Sequence, residues 1–284
     1  MSFTLFQILN GLTFAALLFL VASGFTLIFG LMRIVNLAHG AMYLTGGYVG
    51  YAVATASHSF VLGVVVAAIA IAVLGLGVQA LLRFVKGVEL RQVLLTLGLA
   101  LMLNDATLVL FGGDTFSVPV PELLRGPLEF GSMTYPRYRL FVLVVGLTVF
   151  ALLWWLMNRT RLGALIRAGV DDAETVEAMG INIRKIFMVT FMLGMALAGI
   201  AGALGGAFLS LYPTADSEIL VYSLAVVIIG GRGSLAGAAL GSLAVAMLST
   251  FGQVWFPELS YFVIFGPMAL LLAFRPLGLF GRAA

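Results

Sequence analysis

Long apolar segments alternate with short polar connections along nearly all of the 284-residue chain. A helix needs about 20 apolar residues to cross a bilayer, and most of these segments approach or exceed that length. Long unbroken apolar runs with little period-two alternation favour helices over strands. The pattern therefore predicts an all-α polytopic membrane bundle of about eight transmembrane helices. The predicted spans are about 5–30, 38–56, 60–82, 92–112, 138–158, 186–210, 219–250 and 260–275.

Two of these spans are interrupted. Polar residues and glycine break the span 38–56, and the sequence GGRGS at 230–234 divides 219–250. The glycine-rich sequence lacks the lysine of a phosphate-binding loop, so we interpret it as a helix break. The stretch 219–250 then forms either one crossing with a re-entrant half or two short crossings, and nine elements are possible.

Composition excludes an ordinary soluble protein. Hydrophobic residues make up 62% of the chain, charged residues make up 10%, and the mean hydropathy is +1.14. A soluble domain carries roughly 25% charged residues, so this chain must use the bilayer as its solvent. The basic pI of about 9.4 reflects cations at membrane boundaries, and we expect no nucleic-acid partner. We expect one membrane domain over 1–284, because no linker divides the chain.

The segment 159–185 is the polar exception, and it reads RTRLGALIRAGVDDAETVEAMGINIRK. We expect Asp171, Asp172 and Glu174 near a helix N-terminus, where negative charge is stabilised, with Glu177 following. Gly180 then resembles a helix stop. The segment is either a solvated loop or a docking helix for a cytoplasmic partner. The acids favour docking, because membrane topology alone requires only cations.

The distribution of cations sets the expected orientation. If the loop 159–185 is cytoplasmic, twelve of the fifteen cations lie inside, and the N-terminus lies outside with the C-terminus inside. The loop 113–137, which contains four prolines, is then the largest external feature, with strand or turn character. The cytoplasmic count includes Arg33, Arg83, Lys86, Arg91, Arg275, Arg282 and, with two short crossings in 219–250, Arg232; Arg125, Arg137 and Arg139 are external.

Polar residues near the start of the second span are candidates for the translocation path. On a helix, Asn36, His39 and Tyr43 share one face, because their spacings are three and four. Such side chains either bond the carbonyl groups exposed at a helix break or line a wet path. A metal site is not expected, since the chain has only one other histidine, at His58.

Asn104 and Asp105 interrupt the fourth span and are further path candidates. Asp105 lies about 18 Å along the helix from Val93. A carboxylate near the bilayer centre costs about 2.5–3.5 kcal/mol, which a partner, water or protonation must offset. A proton relay, a bond to a neighbouring helix and an aqueous vestibule all remain open.

Glycine is abundant, with 34 residues. Gly233, Gly237 and Gly241 are spaced by four, as are Gly46 and Gly50. Small residues at this spacing let helices approach closely in lipid. They serve either packing inside one subunit or a dimer interface.

Catalytic and nucleotide-binding motifs are absent from the sequence. It contains no H-E-x-x-H, no G-x-S-x-G and no P-loop, and neither Lys86 nor Lys185 follows a glycine. We therefore expect that the chain is not an enzyme and does not itself bind ATP.

Three motifs, taken in order, resemble the permease subunits of ABC importers for branched-chain amino acids, of the LivH type. They are GFTLIFGLMRIVNLAHGAMYLTGGYVG at 24–50, AMGIN at 178–182 followed by LAGIAGALGG at 197–206, and GGRGSLAGAALG at 230–241. The resemblance implies alternating access in a bacterial inner membrane. Its implied partners are a second related permease, two cytoplasmic ATPases that bind ATP and Mg²⁺, and an extracytoplasmic binding protein that delivers the amino acid.

The same resemblance assigns ATPase coupling to the loop 159–185. ABC permeases often carry an E-A-A-x-x-x-G motif, and here Glu174 and Gly180 match its ends while Thr175 and Val176 replace the alanines. The coupling candidates are Asp171, Asp172, Glu174, Glu177, Gly180 and Ile181.

The substrate class is less specific than the family. Leucine, isoleucine and valine are the expected substrates, with urea, amides or other amino acids as alternatives. No charged pair that would fix an amino-acid zwitterion is evident in the sequence. A self-contained secondary transporter or channel is the alternative mechanism, since broken helices often form midplane sites.

Overall fold

The computed structural model describes residues 2–32, 36–85, 87–130, 133–231, 233–275 and 278–280. Four cations of the orientation count, Arg33, Lys86, Arg232 and Arg282, lie outside these residues. The helices are α1 (Ser2–Met32), α2 (His39–Ser57), α3 (Phe60–Phe84), α4 (Glu89–Phe111), α5 (Arg137–Arg159), α6 (Arg161–Asp171), α7 (Ala173–Ala178), α8 (Ile183–Phe208), α9 (Ala215–Gly230), α10 (Leu235–Trp255) and α11 (Ser260–Phe274).

The predicted helical membrane bundle is confirmed. In the described part of the chain, six helices are long and apolar enough to cross a membrane: α1, α3, α4, α5, α8 and α10. Three others are shorter, with 19 residues in α2, 16 in α9 and 15 in α11. The interrupted stretch 219–250 forms two separate helices, α9 and α10, which meet at the glycine-rich break. The expected eight spans are therefore not confirmed as such: the described residues form six helices of spanning length and these three shorter ones.

The loop 113–137 has the predicted strand and turn character. Its strands β1 (Pro127–Phe130) and β2 (Met133–Pro136) form an antiparallel hairpin in which Pro127 lies opposite Pro136. Successive long helices run in opposite directions, so the bundle has two ends. We call them the hairpin end, after β1 and β2, and the α6–α7 end.

Side-chain caps explain where several helices begin. The hydroxyls of Ser59 and Ser234 accept hydrogen bonds from the backbone N–H groups of Leu62 and Gly237, at 3.3 and 3.0 Å. Such caps satisfy backbone donors that have no partner inside the helix. Ser234 thus starts α10 directly after the glycine-rich break. The division into α9 and α10 is therefore encoded in the local sequence.

α1 and α8 form the centre of the bundle, whereas α4 and α5 lie at its periphery. The apolar windows of α1 and α8 are 78% and 61% buried, but those of α4 and α5 are only 17% buried each. The largest cluster of buried side chains draws on α1, α2, α8 and α9. Faces of α4 and α5 are therefore left for lipid or for another subunit.

Glycines allow α2 and α8 to touch backbone to backbone. A Cβ added at Gly202 would lie 2.0 Å from the carbonyl oxygen of Tyr43, and one added at Gly46 would lie 2.7 Å from the Cα of Gly199. Gly237 packs in the same way on the carbonyl of Gly230. These spaced glycines thus serve packing inside one subunit, as the first of the two hypotheses held.

α2 begins inside the bundle rather than at its end. The ring Nε2 of His39, the first residue of α2, lies 3.0 Å from the carbonyl oxygen of Val21. Val21 is about 16 Å from the C-terminal end of α1, at 1.5 Å per residue. α2 is therefore a discontinuous helix whose N-terminus lies deep within the bundle.

Candidate functional site

α6 turns back against the bundle because one of its faces is small and apolar. Gly163, Ile166 and Gly169 are buried at a spacing of three, while Arg161 and Arg167 are exposed. The hydroxyl of Thr160 accepts a hydrogen bond from the N–H of Gly163 at 3.2 Å and starts the helix. The charges of α6 therefore face away from the protein.

α7 is a separate short helix that Asp172 caps. The carboxylate of Asp172 accepts hydrogen bonds from the backbone N–H and the hydroxyl of Thr175, at 3.0 and 2.5 Å. The hydroxyl bond, followed by the backbone bond, lowers the pKa of Asp172. The expectation of an acidic helix start is thus correct for Asp172 and Glu174.

The expectation for Asp171 is wrong. Asp171 is the last residue of α6, so it lies at a helix C-terminus rather than at an N-terminus. The reason is that Gly163, Ile166 and Gly169 form a buried face, so a helix already runs from Arg161 up to Asp171. Asp171 therefore ends α6, whereas Asp172 is the cap residue between α6 and α7.

One buried side chain holds α7 on the bundle. Val176 is 2% exposed and packs in a cluster with Ile166, Ile183 and Ile186, and Ile181 contacts the same cluster. The valine that departs from the alanine-containing motif is therefore a packing residue. Ile181, a coupling candidate, contributes its side chain to this same attachment.

The outer surface of α7 is exposed. Glu174 and Glu177 are exposed, and Met179 is 63% exposed. Gly180 ends the segment with a φ of +81°, a conformation that glycine adopts without strain, so its predicted role as a helix stop is confirmed. We call Glu174, Glu177, Met179 and Gly180 the α7 surface. Met179 was not among the sequence candidates.

The predicted shared face of Asn36, His39 and Tyr43 is not formed. Asn36 lies before α2, where its Oδ1 accepts a hydrogen bond from the N–H of Ala38 at 3.1 Å. Asparagine competes for local backbone groups in this way, which is why the helical spacing does not extend back to it. Asn36 and His39 are nearly fully buried, and among the described residues the Asn36 Nδ2 and the His39 Nδ1 have no hydrogen-bond partner.

The other path candidates lie elsewhere. Asp105 is exposed and Asn104 half-buried on α4, so Asp105 is not packed against a neighbouring helix of this chain. Tyr43 is buried and lines a cavity at the hairpin end. The structure thus distributes the five path candidates over three places.

That cavity holds a pair of opposite charges that sequence reasoning missed. It has a volume of about 340 Å³, and both Arg139 and Glu218 line it. The two charges come from the starts of α5 and α9 and lie 79 positions apart in the sequence. The only sequence signal was that Arg139 falls inside a predicted apolar span.

Comparison with known proteins identifies relatives along the whole chain. A sequence model of the family described as "Branched-chain amino acid transport system / permease component" matches residues 7–272. The high-affinity branched-chain amino acid transport system permease protein BraD of Pseudomonas aeruginosa is 30% identical, over 97% of this chain and 95% of BraD.

More distant relatives differ in the substrate that their names state. The high-affinity branched-chain amino acid transport system permease protein LivH of Escherichia coli K12 is 24% identical over 97% of this chain and 95% of LivH. The ribose import permease protein RbsC of the same organism is 26% identical over 95% of this chain and 85% of RbsC. No solved structure matches the chain.

Proposed function

The chain belongs to the family of branched-chain amino acid transport system permease components, and from this premise we propose that it imports leucine, isoleucine and valine by ATP-driven alternating access. Its relatives BraD and LivH are named for branched-chain amino acids and cover 97% of the chain. The relative RbsC is named for ribose, so the family as a whole carries more than one substrate class. The similarity to BraD, at 30% identity, is the observation that favours amino acids.

We propose that partner ATPases supply the energy and bind ATP and Mg²⁺. The sequence contains no P-loop. The α7 surface is the proposed docking site through which an ATPase would move the helices. Its two exposed carboxylates lie on a helix that Val176 fixes to the bundle, and exposed Met179 follows directly at the end of that helix. A firmly attached, exposed helix with an apolar side chain beside its charges suits docking to a groove in a second protein.

The proposed orientation has the α6–α7 end in the cytoplasm of a bacterium, beneath the inner membrane. The described cations at that end outnumber those at the hairpin end, as the positive-inside rule requires. They are Arg83, Arg91, Arg159, Arg161, Arg167, Arg184, Lys185 and Arg275, against Arg125, Arg137 and Arg139 at the hairpin end. An extracytoplasmic binding protein would then meet the hairpin end.

We propose that α4 faces the second permease subunit, whereas α5 faces lipid. The two helices are equally uncovered, yet only α4 carries an exposed carboxylate, Asp105, in its apolar span. The exposed face of α5 presents Val144, Leu147 and Leu152. Ionised carboxylates in a bilayer are expensive, so the Asp105 face requires protein or water. A second subunit that pairs with α4 around a central path would provide both.

The start of α2 is the proposed deep part of that path. Asn36 and His39 lie where α2 begins inside the bundle, and the N-terminus of a discontinuous helix suits anionic substrate groups. Both side chains are buried here, so the path would open in another conformation. Alanine at either position should slow uptake without loss of assembly, and normal uptake would assign these residues to structure alone.

Reconstituted uptake tests the proposed function. The chain, its second permease, the ATPases and the binding protein are assembled in proteoliposomes, and uptake of branched-chain amino acids, other amino acids, urea, amides and ribose is measured with and without internal ATP. We expect ATP-dependent uptake of leucine, isoleucine and valine. Uptake without ATP would favour a self-contained transporter, and uptake of ribose or urea alone would exclude the proposed substrate.

A further inference from the structure

We propose that the cavity at the hairpin end binds one free α-amino acid as a zwitterion, with Arg139 facing its carboxylate and Glu218 facing its ammonium group. This inference rests on the proposed function and adds a substrate site within the permease itself. We call the cavity the outer cavity, and its position corresponds to the point where a delivered substrate would first enter the subunit.

The outer cavity has the size of a small-ligand site and is assembled from six helices or their ends. Its volume of about 340 Å³ lies at the lower end of the range that ligand pockets occupy, about 300–1,000 Å³. Residues from α1, α2, α5, α8, α9 and α10 converge on it, respectively Asn10, Tyr43, Arg139, Phe208, Glu218 and Gln253. A site made by so many elements is preorganised by the fold.

Neutral neighbours hold each of the two charges. Arg139 donates a hydrogen bond from its guanidinium to Asn10 Oδ1 and lies over the ring of Phe208, at 5.0 Å from the centroid. Glu218 accepts a hydrogen bond from the hydroxyl of Tyr212 at 2.6 Å. A guanidinium has five N–H donors and a carboxylate has about four acceptor positions. Both groups therefore keep capacity for a ligand.

The remaining lining suits an aliphatic side chain. Phe14, Ile219 and Val254 contribute apolar surface to the same cavity. Ligand sites are commonly built from such apolar walls with a few charged or polar groups that fix the orientation. One cation, one anion and an apolar wall together match the chemistry of an aliphatic amino acid.

The α8–α9 loop, which closes one side of the cavity, is fixed in a strained conformation. Ser210 and Thr214 have φ values of +68° and +84°, in a region that side-chain-bearing residues rarely adopt. Between them, Leu211 exchanges two backbone hydrogen bonds with Phe116, at 2.7 and 2.9 Å. The external segment before the hairpin thus holds this wall in place.

A phosphatidylethanolamine headgroup carries the same pair of charges and is the competing occupant. Its acyl chains would have to leave the cavity toward the bilayer, whereas a free amino acid fits wholly inside a volume of about 340 Å³. The enclosure of the cavity by residues from six helices also favours a compact ligand. We therefore assign the cavity to the free amino acid.

The test measures leucine binding to the assembled permease–ATPase complex in phosphatidylcholine nanodiscs, without the binding protein. The variants are Arg139→Gln and Glu218→Gln, and the matched controls are Arg137→Gln and Glu258→Gln, which change exposed residues at the same end. Loss of one charged contact should raise the Kd for leucine about tenfold or more, while the controls bind like the wild type.

Ligands that lack one charge separate recognition from a structural effect. 3-Methylbutylamine has no carboxylate and 4-methylpentanoate has no ammonium group. We expect Arg139→Gln to weaken binding of 4-methylpentanoate and to leave 3-methylbutylamine unchanged, and Glu218→Gln to do the reverse. Equal losses for both ligands in both variants would overturn the assignment, because a merely structural role predicts that outcome.

Three further outcomes separate failure of the cavity assignment from failure of the proposed function. If leucine affinity is unchanged in both variants while the wild-type complex imports leucine, the outer cavity is not the site and the proposed function stands. If the wild-type complex imports no amino acid, the proposed function itself fails. If phosphatidylethanolamine in the nanodisc displaces leucine and the displacement requires Arg139, the cavity is a headgroup site and the proposal is wrong.

Discussion

The two ends of the bundle carry charge in opposite ways. At the α6–α7 end, Glu174 and Glu177 are exposed on a short helix. At the hairpin end, Arg139 and Glu218 are half-buried in the outer cavity, and each is held by a neutral partner. Exposed charges suit a large partner, whereas recessed charges suit a small ligand.

One continuous helix connects the two ends. α8 begins with Ile183 and Ile186, which pack around Val176 of α7, and it ends at Phe208 in the outer cavity. Its 26 residues span about 39 Å. A force applied to α7 while it is attached to α8 would therefore reach a wall of the outer cavity, and detaching α7 would interrupt this path without changing the cavity. Changes at the α6–α7 end should alter ATPase coupling, and changes in the cavity should alter substrate affinity.

The largest expected effect comes from breaking the contact that fixes α8 inside the bundle. Gly202→Ala adds a Cβ that would lie 2.0 Å from the carbonyl oxygen of Tyr43, so α2 and α8 must separate. Overpacking typically costs about 1–3 kcal/mol, and this clash with backbone belongs at the upper end. We expect a strongly lowered melting temperature and a low yield of monodisperse protein in detergent.

The matched control for this variant is Gly77→Ala in α3, where a Cβ meets no atom within 4 Å. It makes the same chemical change and should leave the melting temperature unchanged or slightly higher, because alanine favours helix. Equal melting temperatures for the two variants would show that the close α2–α8 contact does not stabilise the bundle.

A smaller and more local effect is expected when α7 loses its attachment. Val176→Asp places a carboxylate in an apolar cluster, which costs several kcal/mol and should release α7 from the bundle. We expect substrate-stimulated ATP hydrolysis to fall at least tenfold, while the Kd for leucine at the hairpin end stays the same. Val176→Ile is the conservative control.

In Val176→Asp, ATPase stimulation and leucine affinity should respond separately, because each belongs to a different end of the bundle. Loss of leucine affinity in Val176→Asp, in parallel with the loss of ATPase stimulation, would contradict the division of roles between the two ends. Full ATPase stimulation would instead show that α7 need not be held by Val176.

The smallest expected effect is a pH dependence of α7. Because the hydrogen bonds from Thr175 lower the pKa of Asp172, the charged carboxylate stabilises α7 above the ordinary aspartate pKa of about 3.9. That stabilisation is lost as the pH falls through the lowered value of the folded state. Hydrogen exchange of residues 173–179, corrected for intrinsic rates, should therefore speed up only in acid.

Asp172→Asn is the control for the pH effect. Asparagine also caps helices well, so it should keep slow exchange at neutral pH and remove the acceleration in acid. An acid response that persists in Asp172→Asn would assign the pH dependence to another group.

Features encoded in a short stretch of sequence were predictable. The break at 230–234, the stop at Gly180 and the acidic helix start at Asp172 and Glu174 each follow from the local chemistry of a few neighbouring residues. The spacing of Asn36 and His39 gave a wrong prediction of a shared helix face. A helical period does not show where a polar side chain bonds to the backbone before the helix begins. The prediction failed at the point where capping outweighs periodicity.

The outer cavity was not predictable from local patterns. Arg139 and Glu218 become neighbours of one cavity only because α5 and α9 both start at the hairpin end. Their separation in sequence gives no signal of this, and helix packing alone decides it. Met179 was likewise missed because an apolar residue in an apolar-rich chain gives no sign that it is exposed.

The most direct measurement is substrate-stimulated ATP hydrolysis by the purified complex in which Glu174, Glu177 and Gly180 are all replaced by alanine. We expect stimulation to fall to the basal rate while membrane insertion and leucine binding at the outer cavity stay intact. Undiminished stimulation in this variant would contradict the claim that the α7 surface is where the ATPase drives transport.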